Sequence, residues 1–196
     1  MSCMRSGYRF LILLVVLVFL PSLSANAQLP NQYKKWLDED VHWIISPQEH
    51  AQFLNLSDDA QRKQFIVAFW ERRNPTPGAP ENKFKEEHYR RIAYANMHFA
   101  YETKRQETVP GWKTDRGRIY ILYGNPDTID SHPSGKYELA SGVRASTDPF
   151  EIWHYKLIEG IGSNVAVRFV DKCHCGDYQQ RDEIEKDQDP RSPPEN

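Results

Sequence analysis

Apolar residues recur along this chain at two different periods, and the change falls near residue 116. Phe65, Ile66, Phe69 and Trp70 lie at i, i+1, i+4 and i+5, a broad face at helical spacing. That helix starts at Ser57, with Asp58 and Asp59 at the positive end of its dipole, and closes on Arg72 and Arg73, where cations are favoured. A shorter helix is written into Ser46-Pro47-Gln48-Glu49 and runs to about Leu54: Ser46 caps, Pro47 suits the first position, and Glu49 completes a capping box. Phe84, His88, Ile92, Ala95 and Phe99, widened by Tyr89, Ala93, Met97 and Ala100, predict a long helix over about Glu81 to Thr103. From Arg116 the period becomes two. Ile119, Ile121 and Tyr123 alternate with Arg118, Tyr120 and Leu122, which reads as a strand ending in the turn Gly124-Asn125-Pro126-Asp127. Ser131 to Asp148 reads as a long loop with room for a short strand around Lys136 to Leu139. Two further strands carry Glu151, Trp153, Tyr155 and Leu157 on one face, then Val165, Val167, Phe169 and Asp171. Gly160 to Asn164 joins them as a hairpin-like connection. Helices first and strands after predict an α+β fold, with the N-terminal helices on one face of a small C-terminal antiparallel sheet.

The two ends stand apart. Arg5 and Arg9, the apolar run Phe10 to Leu20, and Ala25-Asn26-Ala27 form the three parts of a secretion signal, with cleavage expected after Ala27. The run is too short for the roughly 20 residues of a membrane span, so no integral span is expected after processing. Residues 28–35 read as a leader, 36–178 as one domain, and 179–196, charged and proline-containing, as a disordered tail. Without Arg5 and Arg9 the formal charge moves from −2 to −4, which together with export argues against a nucleic-acid partner. The expected location is periplasmic or extracellular.

Cys173 and Cys175 are the only cysteines beyond the signal. On a strand they share one face about 6.6 Å apart, near the long limit for a disulfide, and His174 points away. Two thiols on a partly covered face is the reading this spacing favours. A strained or redox-active bridge, or a metal at Cys173 and Cys175, are the alternatives.

Gly111-Trp112-Lys113-Thr114-Asp115, continuing through Arg116-Gly117-Arg118-Ile119-Tyr120, resembles the signature of the GWxTD-domain family. Tyr123 to Asp127, Phe69 to Pro77, Tyr89-Arg90-Arg91 and Phe150 to Tyr155 also resemble segments of that family, in order along the chain. Asn74 departs from the pattern, standing where an aspartate is expected before the proline. The resemblance implies an exported bacterial domain without an established activity, so it transfers no catalytic residue.

Read physically, Gly111 permits close approach, Trp112 anchors, and Thr114 or Asp115 bonds nearby amides. The corner reading buries Trp112 against the long helix and pairs Asp115 with Arg72, Arg73 or Arg91. The recognition reading converges Arg72, Arg73, Arg90, Arg91, Arg116 and Arg118 on one groove walled by Trp112, Tyr120 and Tyr155, to hold a carboxylate or phosphate. Trp112, Thr114, Asp115, Arg116, Arg118, Arg72, Arg73, Arg91 and Tyr155 are thus the candidate binding residues. No nucleophile motif, P-loop, zinc-protease helix or dinucleotide fingerprint is present, and no cofactor is expected. Asp115 and Glu151 are the acid/base candidates if the domain hydrolyses anything. His154 lies on the opposite strand face from Glu151, and His88 falls on the apolar stripe as a core histidine. The expectation is a non-catalytic interaction module of the cell envelope, holding an envelope protein, acidic peptide or glycan. An exported hydrolase using Asp115 or Glu151 is the alternative.

Overall fold

Local hydrogen bonding sets the helix starts where side chains can accept orphan amides. In the computed structural model, which describes residues 29–138, 142 and 144–186, helix α1 spans Asn31–Lys35 and continues as a wide turn over Trp36–Asp40. The signal segment and residues 187–196 lie outside the described residues. Helix α2 (Pro47–Leu54) carries the full capping box: Ser46 Oγ accepts from the Glu49 amide at 3.1 Å, and Glu49 Oε2 accepts from the Ser46 amide at 3.0 Å. Asp58, one residue past Ser57, caps α3 (Asp59–Glu71), and Asn82 caps α4 (Lys83–His98).

These elements enclose a first core of Tyr33, Trp36, Leu37, Val41, Phe53, Phe69 and Trp70. Trp36 meets Phe53 and Phe69 with ring centroids 4.9 and 5.3 Å apart. Tyr33 is 3% exposed, so the stretch expected as a leader already belongs to the folded unit. Its aromatic ring supplies apolar area that the short helices need.

Helix α4 ends at His98, five residues before the expected Thr103, and the chain then forms a small ribbon of β1 (Tyr101–Glu102) and β2 (Thr108–Val109). The expected strand from Arg116 is instead helix α5, Asp115–Tyr123. Thr114 caps it, and its residues are covered on several sides: Ile119 and Ile121 are buried, and Tyr120, Leu122 and Tyr123 are half-buried. A short helix covered all round shows no 3.6-residue stripe, and nine residues suit either period.

The main sheet has the order β3-β6-β7-β8, all antiparallel: β3 is Thr128–His132, β6 Phe150–Ile158, β7 Gly162–Val170 and β8 Gln179–Lys186. A ribbon of β4 (Lys136–Glu138) and β5 (Arg144–Ser146) interrupts the region expected as loop. β3 and β5 were not legible in that polar composition. β8 corrects the expected tail: residues 179–186 are a strand. β7 would otherwise present an open row of amides and carbonyls, and a charged strand suits a sheet edge.

Trp153, Tyr155, Val165, Val167 and Phe169 line the inner face, where they meet Ala95 of α4, Phe99 just past its end, Trp112, and Ile119 and Ile121 of α5. The fold is α+β, as its element order predicts. His88, 4% exposed, joins the two cores through its Nε2, 2.6 Å from the Asp40 carbonyl oxygen. Burial lowers the His88 pKa, which fits a core histidine.

Arg73 and Arg72 both reach Glu49, at 2.7 and 2.9 Å, so this carboxylate ties α2 to the end of α3. The Arg73 hydrogen bond leads the causes that hold its pKa down at about 2, against an ordinary 4.5. A depressed carboxylate stabilises the fold fully above its unfolded pKa and loses that effect as pH falls toward its folded one. The wild-type melting temperature should therefore fall between pH 5 and pH 2. In Glu49→Gln it should start lower and fall less, as thermal melts across that range would read. Parallel curves for the two proteins would remove Glu49 as the acid-sensitive tie.

Candidate functional site

Gly111, Trp112 and Lys113 form one 3-10 turn between β2 and α5, and each signature residue has a defined contact. Gly111 lies so close to α4 that a Cβ there would stand 1.8 Å from the Ala95 carbonyl oxygen. The Trp112 amide donates to Asn96 Oδ1 on α4 at 3.0 Å, and its ring is 6% exposed. The Trp112 carbonyl accepts from Trp43 Nε1 at 2.8 Å, which fastens the segment before α2. Thr114 Oγ1 donates to the Gly111 carbonyl at 2.8 Å and accepts from the Gly117 amide at 3.0 Å, so one hydroxyl closes the turn and caps α5.

Asp115 then faces the sheet. Its Oδ2 accepts from the Gln180 amide on β8 at 2.9 Å, and its Oδ1 from Arg118 at 3.1 Å. The expected partners Arg72, Arg73 and Arg91 are elsewhere. Arg116 reaches Glu151 on β6 at 3.2 Å, donates to the Gly176 carbonyl, and lies over the Tyr178 and Phe99 rings at 4.1 and 5.1 Å. Glu151 also accepts from Trp153 Nε1 at 3.0 Å. The corner thus joins α4, the Trp43 segment, α5 and the sheet.

The candidate binding residues do not share one groove. Trp112, Thr114, Asp115, Arg116 and Arg118 gather at the start of α5. Arg72 and Arg73 sit on Glu49 in the first core. Arg91 pairs with Glu87 at 2.8 Å and donates to the Ile121 and Leu122 carbonyls at the other end of α5. Arg90 also pairs with Glu87. Tyr155 donates to the Gly124 carbonyl at 3.1 Å, and burial pushes its hydroxyl pKa up. Trp43, Asn96 and Gln180 complete the corner, and no local pattern singles them out; only the tertiary contacts do.

The cysteines depart from the strand geometry. Between β7 and β8 the chain turns, with His174 at φ 54°, and brings the Cys173 and Cys175 Cα atoms to 5.2 Å with a disulfide between them. The bridge replaces the two-thiol reading. Asp171, 4% exposed, accepts from the Cys175 and Gly176 amides at 3.1 and 2.8 Å. Asp171, Cys173 and Cys175 cluster closely enough to ligate a metal, but sulfurs bonded to each other offer no thiolate. Closing so short a ring constrains the unfolded chain by only about 1.5 kcal/mol. Cys173→Ser/Cys175→Ser should therefore fold and melt within a few degrees of the wild type. Collapse of the fold would mean that the bridge, rather than Asp171, holds this turn.

Cavities open at three places among the described residues. One of about 290 Å³ lies on the outer face of the sheet, along Phe150, Ile152, Arg168 and Val170. One of about 480 Å³ lies by Leu29, Lys34, Leu37 and His50, and one of about 130 Å³ by Ile44, His88, Arg91 and Ile121. Asp115 and Glu151 line none of the three. No described helix is long and apolar enough to cross a membrane.

Among known proteins, the family model described as the GWxTD domain matches residues 22–139, which include Trp43, Asn96 and the turn from Gly111 to Asp115 but end before β6, so the corner's sheet partners Glu151 and Gln180 lie beyond the match. No curated relative and no solved structure matches the chain.

Proposed function

The chain belongs to the GWxTD-domain family, and on that footing we propose that it is an exported, non-catalytic interaction module of the bacterial cell envelope. The observation that carries this reading is the use of both candidate carboxylates inside the fold. Asp115 is held by Arg118 and the β8 backbone, and Glu151 by Arg116 and Trp153. A general acid or base must reach a substrate proton within hydrogen-bond distance; Glu151 is covered by its own protein, and Asp115, though partly exposed, has both oxygens engaged. That arrangement weighs against the alternative of a hydrolase. Export is supported by the tripartite N-terminal pattern and by the disulfide, which persists in oxidising compartments. The partner class is an envelope protein, acidic peptide or glycan.

The test is expression of the full chain in a bacterial host, followed by fractionation and mass measurement. A product beginning at Gln28 in the periplasm or medium, cross-linking reproducibly to one envelope component, supports the reading. A cytoplasmic, unprocessed product sinks the export half. Hydrolysis of an ester, peptide or glycoside, abolished in a folded Asp115→Asn or Glu151→Gln variant, sinks the non-catalytic half.

A further inference from the structure

The outer face of the sheet carries two arginines with no ion-pair partner among the described residues. Register places Asp130, Ile152, Arg168 and Arg181 in one row across β3, β6, β7 and β8. Cross-strand partners point to the same side, with Cα atoms about 5 Å apart. Arg168 and Arg181 therefore stand side by side, and like charges placed directly opposite cost stability. Arg62, Arg72, Arg73, Arg90, Arg91, Arg116 and Arg118 each have a carboxylate in ion-pair reach. Among the described residues, Arg105, Arg168 and Arg181 have none; of these only Arg168 and Arg181 face each other, and the Arg181 Nε is shut off from solvent without a hydrogen-bond partner. The register of β8 slips at this same point, between Ala166 and Arg168. Such bulges re-aim side chains and are common beside binding sites.

Arg168 also borders the cavity of about 290 Å³. Its floor is apolar, built from Phe150, Ile152 and Val170, with His132 stacked on Phe150 at 4.4 Å. Asp130 stands at the other end of the row, bonded to His154 at 3.1 Å. The space is at the small end of ligand pockets, which start at about 300 Å³.

We propose that this face binds a small organic monocarboxylate with an apolar or aromatic body. The carboxylate sits between Arg168 and Arg181, whose guanidinium forks match its two oxygens. The body lies over Phe150, Ile152 and Val170. A single negative charge relieves the arginine pair, while a second one, farther along the ligand, would meet Asp130. The site is separate from the signature corner, lies mostly beyond the family-matched residues, and does not depend on the envelope reading.

The test titrates the full chain, disulfide intact, with 4-phenylbutyrate, its neutral amide, and inorganic phosphate, followed by backbone amide NMR and thermal melts. The carboxylate should saturably shift the Asp130, Ile152 and Val170 amides and raise the melting temperature. Its amide should bind about tenfold or more weakly, the loss of one charge-assisted contact. Phosphate, which has no body to cover the floor, should bind more weakly than the carboxylate. Arg168→Gln and Arg181→Gln should each weaken the carboxylate by about tenfold or more. Without ligand, neither change should lower the melting temperature, because each relieves a like-charge pair. Absence of saturable carboxylate binding overturns the proposal, as does equal affinity for the amide or for phosphate. A ligand-free melting temperature that falls in both variants also overturns it, since the arginines would then be structural.

Discussion

Gly111→Ala is expected to destabilise the protein by on the order of 3 kcal/mol or more, a large effect for one methyl group. The added Cβ would stand 1.8 Å from the Ala95 carbonyl oxygen and 2.5 Å from the carbon behind it. Both are backbone atoms of α4, so no rotamer change relieves the overlap. Withdrawing the turn would also part the Trp112 amide from Asn96. Gly117→Ala should behave similarly, with its Cβ 1.8 Å from the Gly111 carbonyl oxygen that Thr114 bonds. Gly78 supplies the control: its φ is +78°, nothing lies within 4 Å of a Cβ there, and alanine should cost about 1 kcal/mol from the backbone alone. Urea unfolding midpoints separate the three. If Gly111→Ala unfolds with Gly78→Ala, the turn is not pressed onto α4, and the corner does not join the layers.

Arg116→Ala is expected to cost about 3 kcal/mol, the usual range for stranding one partner of a covered ion pair. Glu151, with its side chain 14% exposed, would keep only the Trp153 donor. The guanidinium plane would also leave the Tyr178 and Phe99 rings. Arg116→Met with Glu151→Gln should recover much of the loss, because neither change then leaves a covered charge. A double-mutant cycle by chemical denaturation measures that coupling. Strict additivity would show that the two side chains do not act as a pair. Because these residues hold the fold, a loss of partner binding in Arg116 or Trp112 variants would not locate a binding surface.

The helix starts are legible where one side chain and one nearby amide decide them. Ser46 caps α2 as read, because the sequence contains the whole capping box; the starts read at Ser57 and about Glu81 fall at the Asp58 and Asn82 caps instead, since several neighbouring polar residues could accept the same amides. The inner strand face is legible for a related reason. Trp153, Tyr155, Val165, Val167 and Phe169 alternate with period two because only one side of their strands is sealed by helices. Helix α5 is not legible in this way. Its alternating apolar residues look like a strand, but α4 and the sheet cover several of its sides, which erases the helical stripe. Strand β8 fails for the opposite reason: its charges resemble a solvated tail until β7 supplies the partner edge.

The candidate site divides along the same line. The sequence by itself determined the capped N-terminal helices, the apolar strand pair, the α+β order and the signature turn, since these rest on contacts a few residues long or on simple periodicity. Only the tertiary structure decided that the signature arginines separate onto Glu49, Glu87, Glu151 and Asp115, and that Arg168 and Arg181 meet. Charge pairing over dozens of residues depends on strand register and helix packing, and a one-residue change of register would turn those side chains to the other face.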